Sequence, residues 1–541
     1  MLGLMQDRPL TLPNVFHRAE QLFGQKEIHT ATPAGTVETT TVADWAARTR
    51  RLATVLDTLG LSADARVGTF CWNTARHLEL YLAVPCTGRV LHTLNLRLFP
   101  DQLVYVANHA EDEVVFVDRS LLGLFWPNVD RLETVRTVVV IDDGAPVDIP
   151  DDPRIRDYEE LLAAAEPYQG RFVVDDENTA AAMCYTSGTT GNPKGVVYSH
   201  RSTVLHSLCT LFADGVGLVE RDVVLPVVPM FHANAWGLPY GCLMAGTSLV
   251  LPGPDMSPDA LLRLIQSYDV TVAAGVPTIW MGMLPKTGDY DLSSIRALLC
   301  GGSAVPKSLS EGFREAIGVP ILQAWGMTET SPLATFGALR GVHDDLDDDG
   351  KATIRALQGA PVPLVDLRIV DPDTGEEQPW DGVATGEVQV AGPWIAAEYY
   401  RGEGEGKAFT DDGWLATGDV AVVDEHGYVK LVDRTKDLVK SGGEWISSVE
   451  LENEIMAHPA VAEAAVIAIP HERWVERPLA CVVVEDGATV TADELIEFLA
   501  GRVAKWWLPE AVEFIDEVPK TSVGKFSKKT LREKFAGYGS A

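Results

Sequence analysis

The stretch Tyr185-Thr186-Ser187-Gly188-Thr189-Thr190-Gly191-Asn192-Pro193-Lys194-Gly195 decides how the chain is read. It holds three glycines, four Ser/Thr hydroxyls and one lysine, with almost nothing apolar. Ala180 to Cys184, just before it, is a short apolar run of the kind that ends a buried strand. Val196-Val197-Tyr198-Ser199-His200 follows, and Ser199 is placed to cap a helix starting near Arg201. A glycine-rich backbone can turn its N–H groups inward, the hydroxyls add donors, and Lys194 adds a positive point charge. That is the chemistry of a polyphosphate cradle, although a surface Gly/Thr linker shares the composition. The ordinary P-loop signature needs Gly-Lys-Ser/Thr, whereas Lys194 follows a proline and precedes a glycine.

Outward from this loop, strand-like runs alternate with helical patterns. Arg66 to Cys71, Val114 to Val117 and Val135 to Ile141 read as strands, separated by helical spans such as His77 to Gly88 and Pro100 to Ala110. Leu12 to Phe23 and Val42 to Leu59 are helical as well. After the loop, Val223 to Val228, Ser248 to Leu251, Val270 to Ala274 and Arg296 to Leu299 are strand-like, with helical spans Ser202 to Phe212, Pro258 to Tyr268 and Ser308 to Ile317. This alternation predicts an α/β fold with parallel sheets covered by helices. Beyond Gly359, Val365 to Val370, Thr385 to Val390 and Tyr428 to Val432 predict a small β-barrel or meander, and the acidic run Asp344 to Asp349 reads as a solvated loop. Glu450 to His458, Ala464 to Pro470, Ala480 to Val484, Ala492 to Val503 and Ala511 to Phe514 form a further α+β pattern. The predicted organisation is therefore a large N-terminal domain over 1–432, a hinge over 433–436 and a small mobile C-terminal domain over 437–541.

At 541 residues the chain is too long for a single core. Its net charge of −33 argues against nucleic acid and anionic membranes as partners, since both select clustered Lys and Arg. The seven cysteines are scattered, with no CxxC pair, which excludes zinc ribbons and predicts buried thiols. Asp7, Arg8 and Pro9 are incompatible with a signal peptide. No run approaches the roughly 18 apolar residues of a membrane span. The expectation is a cytoplasmic protein without integral membrane association.

Five further stretches bear on chemistry. They are Ala324-Trp325-Gly326-Met327-Thr328-Glu329-Thr330, Gly413-Trp414-Leu415-Ala416-Thr417-Gly418-Asp419, Val432-Asp433-Arg434-Thr435-Lys436-Asp437, Lys440-Ser441-Gly442-Gly443-Glu444-Trp445-Ile446-Ser447 and Pro519-Lys520-Thr521-Ser522-Val523-Gly524-Lys525. Together with the loop, in this order, they resemble the signatures of the acyl-adenylate-forming enzymes, the group of acyl-CoA synthetases, luciferases and non-ribosomal adenylation domains. The subgroup most similar is the bacterial medium- and long-chain fatty acyl-CoA synthetases.

The resemblance implies Mg²⁺, ATP and coenzyme A as cofactor and substrates. It implies that Thr186, Ser187, Gly188, Thr189, Thr190, Gly191 and Lys194 hold the phosphates. Gly302, Ser303, Ala304, Gln323, Ala324, Trp325, Gly326, Met327 and Thr328 then line the nucleotide. Glu329 with Thr186 supplies the hard oxygens that Mg²⁺ prefers. Trp325 stands where the family has tyrosine, which keeps stacking and loses a phenol hydrogen bond. Asp419 offers an acceptor pair to the ribose diol, and Arg434 contacts ribose or phosphate. Lys525 follows the acid's oxygen to the α-phosphate and stabilises transition-state charge. Catalysis is thus implied for Lys525, Thr186, Glu329 and His232. Lys440, Gly442, Gly443 and Trp445 would face the thiol, with Asp433 and Lys436 at the hinge.

Pro229-Met230-Phe231-His232-Ala233-Asn234-Ala235-Trp236-Gly237 bears on the acid. Amino-acid-activating relatives carry an aspartate where His232 stands, so an amino acid is disfavoured. His232, Trp236, Gly301, Gly302 and Gly326 are the implied acid-binding residues, with Trp236 as the gate of an apolar tunnel. A medium- or long-chain fatty acid is the expected substrate. An aryl acid, a short thioether acid such as 3-methylthiopropionate, or transfer to a carrier protein are the alternatives, and a P-loop-like NTPase is the rival outside the class. A homodimer is the expected assembly.

Overall fold

The computed structural model describes residues 1, 3–186, 192–402, 408–441, 444–520 and 526–538. Ser187 to Gly191, Gly442, Gly443 and Lys525, all assigned roles above, lie outside the described residues. The chain forms two compact units, the first from 1–186, 194–366 and 391–405, the second mainly from 367–390 and 406–541.

The first unit contains two large sheets. One runs in the order Ile155–Asp157, Thr137–Ile141, Asp112–Asp118, Arg66–Phe70, Val90–Thr93, Ala180–Tyr185, Gly195–Ser199. All its pairings are parallel except the last, the hairpin that carries the phosphate loop. Its central strands are buried on both faces, as parallel strands covered by helices must be. The other sheet is nine-stranded among the described residues, with a parallel interior from Ile321–Gly326 to Glu27–Ala31. It is edged by the antiparallel Val37–Thr41 on one side and by Leu333–Phe336 and Ala360–Pro361 on the other.

Helices supply the layers. Helix Val42–Thr58 starts where the Thr41 hydroxyl accepts from Asp44 N–H, satisfying an otherwise unpaired N-terminal donor. Ser199 caps helix His200–Leu208 in the same way, accepting from Ser202 N–H. The expected helix over Ser202 to Phe212 is therefore shifted, ending at Leu208 and passing into a 3₁₀ turn at Cys209–Leu211. The acidic run is exposed as expected, but its end is structured: Asp347 caps helix Asp348–Arg355 by accepting from Gly350 N–H.

In the second unit, Asp366–Val370, Thr385–Ala391, Leu415–Val423 and Val429–Arg434 make a four-stranded sheet whose order follows the chain, an open meander. A second sheet runs Glu444–Ile446, Val439–Ser441, Val475–Val484, Val461–His471, with Ala511–Phe514 parallel to Val475–Val484. Its core is formed by Val439, Ile446, Leu451, Ile455, Val466 and Leu495. All seven cysteines are buried and unpaired. No helix among the described residues is long and apolar enough to cross a membrane.

Candidate functional site

The expected phosphate loop connects strands Ala180–Tyr185 and Gly195–Ser199, whose last ladder pair is Tyr185 with Gly195. Thr186 and Lys194 extend the ladder by two further bonds. Thr186 N–H donates to Lys194 O at 2.9 Å, and Lys194 N–H donates to the Thr186 hydroxyl at 3.1 Å. The Lys194 ammonium then lies 4.6 Å from the centre of the Tyr399 ring. Tyr399 in turn donates its hydroxyl to Glu329 Oε1 at 2.6 Å, and both side chains are buried. Burial pushes the Tyr399 phenol far above its usual range, with the Glu329 charge adding to the effect, so it stays a donor. Thr186, Lys194 and Glu329 are thus brought together through a residue that the sequence reading missed.

The segment carrying Glu329 is fixed from two sides. Tyr198, on the strand leaving the loop, donates its hydroxyl to Thr328 O at 2.7 Å. Ala396 N–H donates to Glu329 O at 2.8 Å. Glycine at 326 is required by packing, since a Cβ there would fall 1.6 Å from Pro332 O. Gln323 is buried and accepts from Val305 N–H at 3.2 Å, tying the strand to the loop that holds Gly301 to Ala304. Trp325 is also buried.

His232 and Trp236 are half-buried on the segment that follows strand Val223–Pro226. Asn73, at the carboxyl end of strand Arg66–Phe70, clamps this segment. Its amide donates to Pro226 O and Val228 O at 2.8 and 2.9 Å, and its carbonyl accepts from Met230 N–H at 2.7 Å. Tyr81 donates to Met230 O. Ala233 to Gly237 then form a left-handed turn, all with φ between 42° and 72°. The turn brings Trp236 against Gly301: a Cβ at 301 would lie 3.2 Å from the Trp236 ring and 3.1 Å from Ala324 O. Three of the expected acid- and nucleotide-site positions therefore meet at one point.

In the second unit, Asp419 and Arg434 pair across adjacent strands, with Arg434 Nε 3.0 Å from Asp419 Oδ1. The turn before Asp419 is held by Thr417, which donates to Val388 O at 2.8 Å. Asp433 is buried and accepts from Ser448 N–H at 2.6 Å, while Lys528 bonds Ser448 and lies 2.7 Å from Glu452. Burial pushes the Glu452 carboxyl up to about 7. Lys436 is held below its usual range, first by burial and then by the charge of Arg434. Lys440 sits 4.2 Å from the Trp445 ring centre, its ladder partner.

The donor set suits a hard divalent cation bound with phosphate. Glu329 offers a buried carboxylate steadied by a phenol, and Thr186 a hydroxyl whose neighbour is Lys194 N–H. Among the described residues no group of three or more His, Cys, Asp or Glu side chains is placed to hold a metal alone. A cation here would take most of its ligands from substrate and water, which is how Mg²⁺ is usually held.

The model of the AMP-binding enzyme family matches residues 16–400, and that of the AMP-binding enzyme C-terminal domain matches residues 450–525. The chain is 48% identical to the long-chain-fatty-acid–CoA ligase of Thermus thermophilus, covering 99% of this chain and 97% of that one. It is 46% identical to the 3-methylmercaptopropionyl-CoA ligase of Ruegeria lacuscaerulensis, covering 99% of each. Among solved structures it is similar to ATP-bound MatB from Rhodopseudomonas palustris, with a TM-score of 0.81, 30% identity, and coverage of 97% of this chain and 99% of that one.

Proposed function

Because the chain belongs to the AMP-binding enzyme family, and is with its relatives an ATP-dependent, AMP-forming acyl-CoA ligase, we propose that it activates a medium- or long-chain linear carboxylic acid. The observation that carries the reading is the connected set Thr186–Lys194–Tyr399–Glu329, which gathers a phosphate-loop cation, a hydroxyl and a buried carboxylate. In the first half-reaction the acid's carboxylate attacks the α-phosphate of ATP, giving acyl-AMP and pyrophosphate. Lys194 and the loop hydroxyls take up phosphate charge, Lys525 steadies the charge developing at the α-phosphate, and Asp419 with Arg434 holds the ribose. Mg²⁺, held by Glu329 and Thr186, would neutralise the departing pyrophosphate.

In the second half-reaction the thiol of coenzyme A displaces AMP. The 437–541 domain turns about Asp433 and Lys436 between the two steps, bringing Lys440, Gly442, Gly443 and Trp445 to the thiol. His232 lies at the carboxylate end of the acid, and Trp236 against Gly301 is the gate to its chain. The assembly proposed is a cytoplasmic homodimer. A second reading, a short thioether acid, is favoured by the 46% identity to the 3-methylmercaptopropionyl-CoA ligase over nearly the whole chain.

The test is pyrophosphate release with Mg·ATP across acids from acetate to oleate, plus cinnamate and 3-methylthiopropionate, with and without coenzyme A. A maximum at medium or long linear acids supports the first reading. A maximum at the thioether acid replaces it with the second, and no acid-dependent release overturns both.

A further inference from the structure

His92 stands on strand Val90–Thr93, level with Gly68 on one neighbouring strand and Met183 on the other. Asp112 begins strand Asp112–Asp118, on the far side of Gly68's strand. The missing side chain at 68 is what lets the carboxylate across. A Cβ there would lie 3.2 Å from Asp112 Oδ2 and 2.9 Å from Val115 Cγ2. Through that gap His92 Nδ1 meets both Asp112 oxygens, at 2.8 and 2.9 Å, and both side chains are completely buried.

Burial favours the neutral Asp112 acid and the His92 contact opposes it; with Asp112 ionised its carboxylate only accepts, which puts the hydrogen on Nδ1. Nε2 is left on the opposite side of the ring, buried and with no partner among the described residues. His92 also lines a pocket together with Thr93, Leu94, Tyr185, Thr186 and Phe231, with room for about one water molecule. A buried acceptor with no donor costs about 1–3 kcal/mol, so the pocket is a place for a donor.

Thr186 supplies the other end. Its hydroxyl oxygen already accepts from Lys194 N–H, leaving a hydrogen to give and a second lone pair. We propose that Asp112 and His92 form a positioning relay for Thr186, in which the Thr186 hydroxyl donates to a water in the pocket and that water donates to His92 Nε2. The relay commits the hydroxyl's hydrogen to the water and leaves its second lone pair free for a ligand. Thr186 is thereby set as an oxygen ligand for a divalent cation rather than as a donor to phosphate. The inference rests on the proposed role of Thr186 as a Mg²⁺ ligand and adds the residues that fix its orientation.

Two measurements on the full chain test it. Nitrogen-15 NMR of labelled histidine reports the tautomer without turnover: wild type should show His92 with Nδ1–H and a bare Nε2. His92 with a hydrogen on Nε2 overturns the relay. In Asp112→Asn the amide can donate to Nδ1, so the tautomer should invert with the packing kept. The second measurement is the Mg²⁺ concentration for half-maximal pyrophosphate release at saturating ATP. It should rise about threefold to tenfold in Asp112→Asn and His92→Ala, the worth of one neutral hydrogen bond. The KM for the acid should stay within twofold, and His92→Gln, whose amide oxygen can accept, should recover most of the loss. A fall in kcat with an unchanged Mg²⁺ requirement would mark a purely structural pair and refute the relay. Absence of acid-dependent release in wild type would instead sink the ligase reading, while the NMR arm still judges the pair.

Discussion

Removing one oxygen atom from Tyr399 isolates the bond that joins the phosphate loop to Glu329. Tyr399→Phe deletes the hydroxyl that donates to Glu329 at 2.6 Å and keeps the ring beneath Lys194 at 4.6 Å. A hydrogen bond to a charged partner contributes about 1.5–3 kcal/mol, and here the acceptor is a buried carboxylate with little water to replace the lost donor. If that bond is fully used in holding Mg·ATP, kcat/KM for Mg·ATP falls about tenfold to a hundredfold. The assay is steady-state pyrophosphate release at varied Mg·ATP with saturating acid. The loss should fall on Mg·ATP and on the Mg²⁺ requirement, with the KM for the acid within twofold, because His232 and Trp236 are untouched. Tyr399→Leu removes the ring as well and should lose a further twofold to thirtyfold, the range of a cation–π contact of about 0.5–2 kcal/mol. A Tyr399→Phe enzyme within twofold of wild type on Mg·ATP would refute the reasoning, since the bond would then be a bystander to nucleotide binding.

Gly326→Ala places a Cβ where Pro332 O stands, so the turn bearing Thr328 and Glu329 must move; kcat/KM for Mg·ATP should drop at least tenfold in the same assay. Lys528→Met strands the buried Glu452 without its cation and should cost about 3–5 kcal/mol in urea unfolding. The double variant with Glu452→Gln should recover most of that loss. His206 is buried, its Nε2 accepts from Leu333 N–H, and desolvation pushes it down to about 3 from 6.5. Its folded value lies below its unfolded one, so its contribution is complete above pH 6.5 and about 3 kcal/mol is lost as pH falls to 4. His206→Asn should flatten the dependence of unfolding free energy on pH across that window, and an unchanged slope would remove His206 as its cause.

Much of the frame was legible because it is periodic. Helix Pro100–Ala110 and strand Ser248–Leu251 have the bounds that their apolar spacing predicts. Strand Gly195–Ser199 was passed over because the loop's polar chemistry dominates the reading there, although Val196, Val197 and Tyr198 carry a strand signal. Glu27–Ala31 and Val37–Thr41 were missed for a different reason. Their sequences, Glu-Ile-His-Thr-Ala and Val-Glu-Thr-Thr-Thr, are mostly polar, so no apolar alternation marks them, although Ile28, His29 and Thr30 are buried and only Val37–Thr41 of the two forms the sheet edge. In the candidate site, the residues named from sequence all lie within local motifs, whereas Tyr399, Asn73 and Tyr81 act on segments far away in sequence. A signal existed for Asn73. It is a polar amide ending the apolar run Phe70 to Trp72, at the carboxyl end of a parallel strand, where such sheets place functional groups.

The left-handed turn at Ala233 to Gly237 could not have been read from the sequence, because three of its five residues, Ala233, Ala235 and Trp236, are ones that avoid that conformation. At about 1–2 kcal/mol for each of these three residues the turn is strained by several kcal/mol. Such a backbone persists only where its surroundings over-determine it. Upstream, Asn73 and Tyr81 fix the carbonyls and N–H groups up to Met230. Within the turn, Asn234 accepts from the Cys184 thiol at 3.1 Å, binding it to the strand that leads into the phosphate loop. Downstream, Gly237 has no room for a Cβ, which would lie 2.7 Å from His206 Nδ1. A right-handed turn between the same end points would send the Trp236 side chain elsewhere, and its ring would leave Gly301. The position of Trp236 is therefore a property of the strained backbone and its anchors rather than of a side-chain rotamer. Because one of those anchors is Cys184, two residues before Thr186, the Ala233–Gly237 turn and Thr186 share a strand end. Whatever displaces that strand end moves both.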